Sequence, residues 1–475
     1  MRNSARKLTV LLAVMALVIA GAGCSDDDDD PVGVPDVGFG ASLRVVHASP
    51  NAPAVDVYAE GVAAPLITDL AYTETSKYLE LDPGTYNIQL RGAGADPTSA
   101  PVFETGDIAI PETAIVTAVA AGLFGSADAD DMFRVIPLVE DWKDPGAGNA
   151  AVRILHASAD APAVAIDVGN DGTPEITDFA RFAETGADGV ALPAGSPLDI
   201  GIWAGNPLGR VTAFQTPALP EANIVLIATG LLGELPRDDM GFGLLAVGPS
   251  GTVGLIRQNP TVFVLHASPD APAVDVFVGG TDTELVGDLS FSNLSPAVQV
   301  PPAAYSLDVK VSSSGALAGT VTTPELMAGE RYLAIASGFA LGGTPGFTLL
   351  PYGEKFGESA SPQVRVVHAS PDAPTVDVGL WDGAVFTPVS DYSGLSFGDA
   401  SPEAGLAIDA MNITVGVAEA GTNNPAATFD LTLMGGQKAF AIAAGSLFGN
   451  GESFRLMLVD ATEVPWQTAQ VMPNP

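Results

Sequence analysis

The sequence predicts an all-β protein built as four tandem antiparallel β-sandwich domains, and three observations carry that prediction. All four histidines of the 475-residue chain, His47, His156, His266 and His368, fill the same slot of one motif of the form HAS-x-x-AP-x-V. Their spacings of 109, 110 and 102 residues each match the length of one small domain. Between the motifs, apolar and polar residues alternate with period two, β-branched residues are frequent, and turn signals come about every 8–12 residues. Helix-period stretches are nearly absent, which points to immunoglobulin- or prealbumin-like sandwiches.

The chain opens with Arg2, Arg6 and Lys7, followed by an apolar run over residues 8–20 and then Gly21-Ala22-Gly23-Cys24. That run suits the core of a signal peptide and is short for a membrane span. Cys24 is the only cysteine, and its setting resembles a bacterial lipoprotein signal, with residues 1–23 removed and Cys24 lipidated. Gly21 departs from the leucine usual three residues before such a cysteine, and cleavage after Ala20-Gly21-Ala22 is the alternative. Residues 24–40 read as a tether. They hold five consecutive aspartates at 26–30, then Pro31, Pro35 and several glycines. The sixteen residues after Cys24, fully extended, reach on the order of 50 Å. The expected address is the cell envelope, at the outer membrane or cell surface, with the membrane held through the N-terminal lipid.

Formal net charge is −37, and loss of residues 1–23 removes three positive groups and no acids, leaving −40. Such a surface repels phosphate backbones, which excludes nucleic-acid binding as a function class. Charged residues make up only 16% of the chain and apolar ones 47%, a balance that belongs to folded domains. One edge cysteine offers no disulfide, so stability must come from packed cores.

The expected repeats cover 41–145, 150–258, 260–358 and 362–468, with boundaries at turn-rich stretches. Each opens on a strand. Over residues 43–47 alternation places Leu43, Val45 and His47 on one face and Arg44 and Val46 on the other. Ser49 then caps a single turn with Pro50 at its first position, and Pro53 ends that turn. A second strand follows at Val55-Asp56-Val57-Tyr58, leading to a hairpin near Glu60-Gly61, with equivalents at Asp171-Gly172, Gly279-Gly280 and Asp382-Gly383. A later apolar strand closes on a landmark glycine: Gly122, Gly230, Gly338 and Gly445, lying 75, 74, 72 and 77 residues after the histidines. Last strands are expected at 133–138, 243–247, 347–350 and 454–459. Set end to end, four such domains of ~13 Å radius of gyration would make a rod on the order of 130 Å long.

Four copies of this motif after a short strand resemble the bacterial cell-envelope family known as domain of unknown function 4397, over essentially all of residues 41–468. The resemblance implies extracytoplasmic, often tandem, β-rich modules on surface or secreted proteins. It implies no reaction, so it transfers no catalytic residue. Copy two departs most, with Ala159 for the proline and Ala165 where the others have Asp56, Asp275 and Asp377.

The motif residues His47, Ser49, Pro53; His156, Ser158, Pro162; His266, Ser268, Pro272; and His368, Ser370, Pro374 are read as structural, each imidazole donating to a backbone carbonyl near the turn. A hydrolase built on His47, Ser49 and Asp56 is the catalytic alternative. It requires the serine oxygen on the imidazole and an acid behind the ring. Copy two lacks that acid in register, although Asp167 stands two residues on. Calcium is the metal alternative, with Asp130, Asp131, Asp167, Asp171, Asp238 and Asp239 as oxygen ligands in acidic loops whose spacing matches no complete calcium loop. Arg44 and Asp56, and likewise Arg365 and Asp377, are expected to bridge on an outer face if their strands adjoin. Trp142, Trp203, Trp381 and Trp466 fall at unrelated repeat positions, so no repeated sugar platform is visible, and Trp203 and Trp381 read as core residues. The functional expectation is a non-catalytic surface lipoprotein, without a cofactor, that meets an extracellular protein or glycan. A calcium-dependent adhesion module and a hydrolase are the alternatives.

Overall fold

The computed structural model describes residues 40–475. In repeat 1 the strands are β1 (Ala41–His47), β2 (Val55–Ala59), β3 (Ile67–Leu70), β4 (Leu79–Leu81), β5 (Gly84–Gly92), β6 (Phe103–Ile110), β7 (Ile115–Ala121) and β8 (Arg134–Val139). They form two facing sheets, β4-β1-β7-β8 and β3-β2-β5-β6. Every pairing is antiparallel except β1 with β7, which run parallel from Ser42 opposite Ile115 to His47 opposite Ala120. The other three repeats keep this strand order and its single parallel pair. The fold is thus a series of β-sandwiches, with an order that differs from the immunoglobulin arrangement of A-B-E-D facing C-F-G.

Repeats 2 and 4 each add a fifth strand, Gly251–Arg257 and Gln467–Val471, to the sheet that carries the motif. The second of these runs beyond the expected edge at residue 468, because it pairs with Arg455–Asp460.

Alternation sorts the first strand of each repeat as its pattern demands. Leu43 and Val45 face the core of repeat 1, and Ile154, Val264 and Val366 do the same in repeats 2, 3 and 4. The opposite face is equally dry. Val46, Ala48, Val119, Ala121 and Leu138 of repeat 1 join Leu155, Ala157, Val225, Ile227, Leu245 and Val247 of repeat 2 in one buried cluster. Phe263, Leu265, Leu333, Ile335 and Phe356 of repeat 3 do likewise with Val367, Phe440, Ile442, Met457 and Trp466 of repeat 4. The domains therefore associate face to face as pairs 1·2 and 3·4, and the expected end-to-end rod is corrected. The cause is that both faces of the motif-bearing sheet are apolar, so a lone repeat would leave one face wet.

The two members of a pair meet with their motif ends together. Thr229 Oγ1 of repeat 2 donates to Ala48 O of repeat 1 at 2.7 Å, and Ser337 Oγ of repeat 3 donates to Ala369 O of repeat 4 at 2.6 Å. Arginines cross in both directions in pair 1·2: Arg44 reaches Gly248 O and Arg153 reaches Val139 O, each at 2.6 Å. Arg365 reaches Gly353 O at 2.6 Å in pair 3·4. The expected Arg44–Asp56 bridge does not form, since β1 and β2 lie in different sheets. Arg44 instead bonds Thr117 and Glu140 beside its reach across the pair.

The pairs are joined through repeats 2 and 3. Arg237 of repeat 2 and Arg331 of repeat 3 both hold Glu354, which is fully buried. Burial opposes ionisation of Glu354, but the two guanidinium groups outweigh it and keep its carboxyl below the usual range. Tryptophans also serve the pairs: Trp466 lies stacked on Phe263 with centroids 4.2 Å apart, and Trp142 packs on the 1·2 cluster. Trp203 and Trp381 are only half-buried, not core residues as expected.

Candidate functional site

The repeated motif places the same polar side chains in all four domains, and its geometry is nearly constant. Each histidine ends its strand on the core side and is no more than 2% exposed. Its Nε2 lies 3.0–3.1 Å from the carbonyl oxygen of the motif proline, as His47 to Pro53, His156 to Pro162, His266 to Pro272 and His368 to Pro374. A carbonyl only accepts, so Nε2 carries the proton and Nδ1 is the bare acceptor. Nδ1 is buried without a protein partner in every copy. Burial pushes all four imidazoles below their ordinary value, against a smaller raising effect from the proline carbonyl, and they stand neutral.

The serine departs from the expected role of turn cap. Its hydroxyl does not cap the turn. It donates to the carbonyl of the landmark glycine on the neighbouring parallel strand of the same sheet, Ser49 to Gly122 at 2.6 Å, Ser158 to Gly230 at 2.9 Å, Ser268 to Gly338 at 2.6 Å and Ser370 to Gly445 at 2.6 Å. These glycines sit at φ of +82° to +86°, and a Cβ on any of them would run into the carbonyl of the returning loop, as on Ser453 O for Gly445. Only glycine fits there. Next to the serine bond, the backbone N–H of the motif alanine continues the parallel ladder, as Ala48 to Ala120 O at 2.8 Å. Serine and glycine therefore fasten the first strand of each sandwich to its seventh. The signal was present: motif serine and landmark glycine keep a separation of 70–75 residues in every copy.

This arrangement does not assemble the catalytic set. The serine proton is committed to glycine, the imidazole N–H to proline, and Asp56 lies on the other sheet. Asp56 accepts the backbone N–H groups of Asp69 and Gly94, and Asp377 accepts those of Gly394 and Gly421. Asp275 takes Asp288 N and the Ser312 hydroxyl. These carboxylates staple neighbouring loops.

The calcium candidates are dispersed. Asp167 is buried and accepts Asp171 N, Gly172 N and Trp203 Nε1. Asp171 accepts the N–H of Thr173, while Asp131 accepts the Ser126 hydroxyl. Asp130 and Asp238 offer backbone carbonyls to Arg181 and Arg257, and Asp239 pairs with Arg257 in solvent. Among the described residues no three His, Cys, Asp or Glu side chains gather as a metal site. Cys24 lies outside the described residues.

The sequence matches a family model described as Domain of unknown function (DUF4397) over residues 41–167, 260–379 and 362–472. The stretch between the first two matches holds most of repeat 2, the copy whose motif departs furthest, yet its strand order is that of the others. No curated protein matches the chain. Among solved structures, the Bacillus anthracis TIE protein aligns over 86% of this chain and 67% of its own at 11% identity, with a TM-score of 0.15. The family match covers well over half of the residues, and the chain belongs to the DUF4397 family.

Proposed function

We propose that this protein is a non-catalytic, lipid-anchored component of the bacterial cell envelope, whose paired sandwiches carry a partner-binding surface away from the membrane. The observation that carries the reading is the closure of the motif on itself: in all four copies the serine hydroxyl and the imidazole N–H are spent on backbone carbonyls inside the domain. Catalysis needs such groups aimed at open space. The basic start, apolar run and Cys24 support the anchor, and the acidic tether supports a standoff. The strong negative charge favours a protein or glycan partner over nucleic acid.

The anchor is tested by Cys24→Ser. The wild-type protein should take up a radiolabelled fatty acid, sediment with membranes and be trimmed when intact cells are treated with protease. The variant should lose the label and appear in the soluble fraction. Retention of Cys24→Ser on membranes, or an unlabelled wild type, would remove the anchor from the account.

A further inference from the structure

The motif does more than close the sandwich. Two residues after the serine stands Asn51, Asp160, Asp270 or Asp372, and its side chain accepts backbone N–H groups from the loop beyond the landmark glycine. The amides held are those of Phe124 at 2.8 Å, Leu232 at 2.8 Å, Leu341 at 3.0 Å and Phe448 at 3.3 Å. All four are apolar residues. Phe124 rests on Phe133, but Leu232, Leu341 and Phe448 are 51%, 77% and 73% exposed. A solvated loop tip gains nothing in folding from a large apolar side chain, yet repeats 3 and 4 carry Leu341 and Phe448 three residues past the landmark glycine, where repeats 1 and 2 have Gly125 and Gly233.

In pair 3·4 the two best-exposed tips belong to the same end. The Ser337–Ala369 bond joins the motif ends of the two repeats, and Glu452 N in the Phe448 loop donates to Pro269 O in the motif of repeat 3 at 2.8 Å. We propose that Leu341 and Phe448 form a two-pronged docking surface at the motif end of pair 3·4, for a polypeptide whose apolar face is ringed by lysine and arginine. Charge complementarity selects that partner. The chain carries −37, and the prongs' own backbone amides are held by two carboxylates, Asp270 and Asp372. Asp372 stays charged: burial opposes it, but the Ser446 hydroxyl and the Leu447 and Phe448 amides hold its carboxyl below the usual range. An anionic bilayer meets the same charge and is repelled.

The proposal rests on the partner-binding half of the function above and is independent of the anchor. The test uses the mature chain carrying Cys24→Ser, with an amphipathic helical peptide of leucine and lysine as probe and zwitterionic vesicles as the lipid arm. The peptide should bind, more weakly at high salt. Leu341→Ser with Phe448→Ser should lower its affinity about tenfold or more with an unchanged melting temperature. Val253→Ser, at an exposed site on repeat 2, should leave affinity as it was. Absence of peptide binding, equal binding by the double variant, or prong-dependent binding to the vesicles would overturn the proposal. Fatty-acid labelling of wild-type Cys24 reads the anchor separately, so the two failures are distinguishable.

Discussion

The 1·2 and 3·4 contacts use one geometry and two chemistries. The fully buried core of pair 1·2 is aliphatic, with Trp142 and Phe182 only at its edge, and arginines cross it from both sides, Arg44 to Gly248 O and Arg153 to Val139 O. In pair 3·4 the place of Arg44 is taken in repeat 3 by Phe263, which stacks on Trp466, with Phe356 and Phe440 alongside. The cation lost at that position stands instead at Arg331, turned to Glu354 and the junction with repeat 2. Meanwhile the motif geometry is the same in all four domains. The invariant part is the fastening of the first strand to the seventh, and the variable part is the face each domain shows its partner. Unlike chemistries on the two shared faces disfavour a face-to-face pairing of repeat 3 with repeat 1 or 2, which four interchangeable sandwiches on one chain would allow.

Substitutions at the contacts should separate the pairs. Trp466→Ala removes an aromatic buried between repeats 3 and 4 and should destabilise that pair by about 3–5 kcal/mol, measured by urea unfolding, while pair 1·2 keeps its transition. Arg44→Met should do the reverse. It leaves Glu140 and Gly248 O without their cation and should cost pair 1·2 about 3 kcal/mol, with no effect on pair 3·4. An unfolding curve in which either change shifts both pairs equally would show that the four domains unfold as one unit.

The third prediction sharpens what the pairs share. All four histidines are held neutral with lowered folded-state values, so the unfolded chain, titrating near 6.5, takes up protons that the folded chain refuses. Their stabilisation is complete above pH of about 6.5 and falls as pH drops below it, by up to about 1.4 kcal/mol per pH unit for each histidine, until the folded rings themselves protonate. Both pairs should show this loss alike, and His368→Gln should cut its slope by about half in pair 3·4 alone, since His266 remains. Stability that rises on acidification through this window would contradict the neutral, buried imidazole.

Much of a single domain was legible. Period-two alternation put Leu43, Val45 and His47 on the core side, and the carbonyl partner of the ring follows from a strand ending at a proline-bounded turn. The domain pairing was also written in the sequence, as a second apolar face: residues 224–228 form a continuous apolar run, the mark of a strand buried on both sides. Reading Arg44 as solvent-facing concealed it, since an arginine whose fork is fully bonded sits readily in an interface. The bond from Ser49 to Gly122 spans 73 residues of chain, and no local turn rule connects them. The fifth strands of repeats 2 and 4 were missed because turn-rich sequence before them resembles linker.

The face-to-face pairing is tested most directly by hydrogen exchange on the full mature chain with and without Trp466→Ala. The substitution lies in repeat 4, but the account predicts faster exchange in the first strands of both repeats 3 and 4, Thr261–His266 and Gln363–His368, with Ala41–His47 and Asn149–His156 unchanged. Acceleration confined to Gln363–His368 would mean that repeat 3 stands without its neighbour, and the shared core would be contradicted.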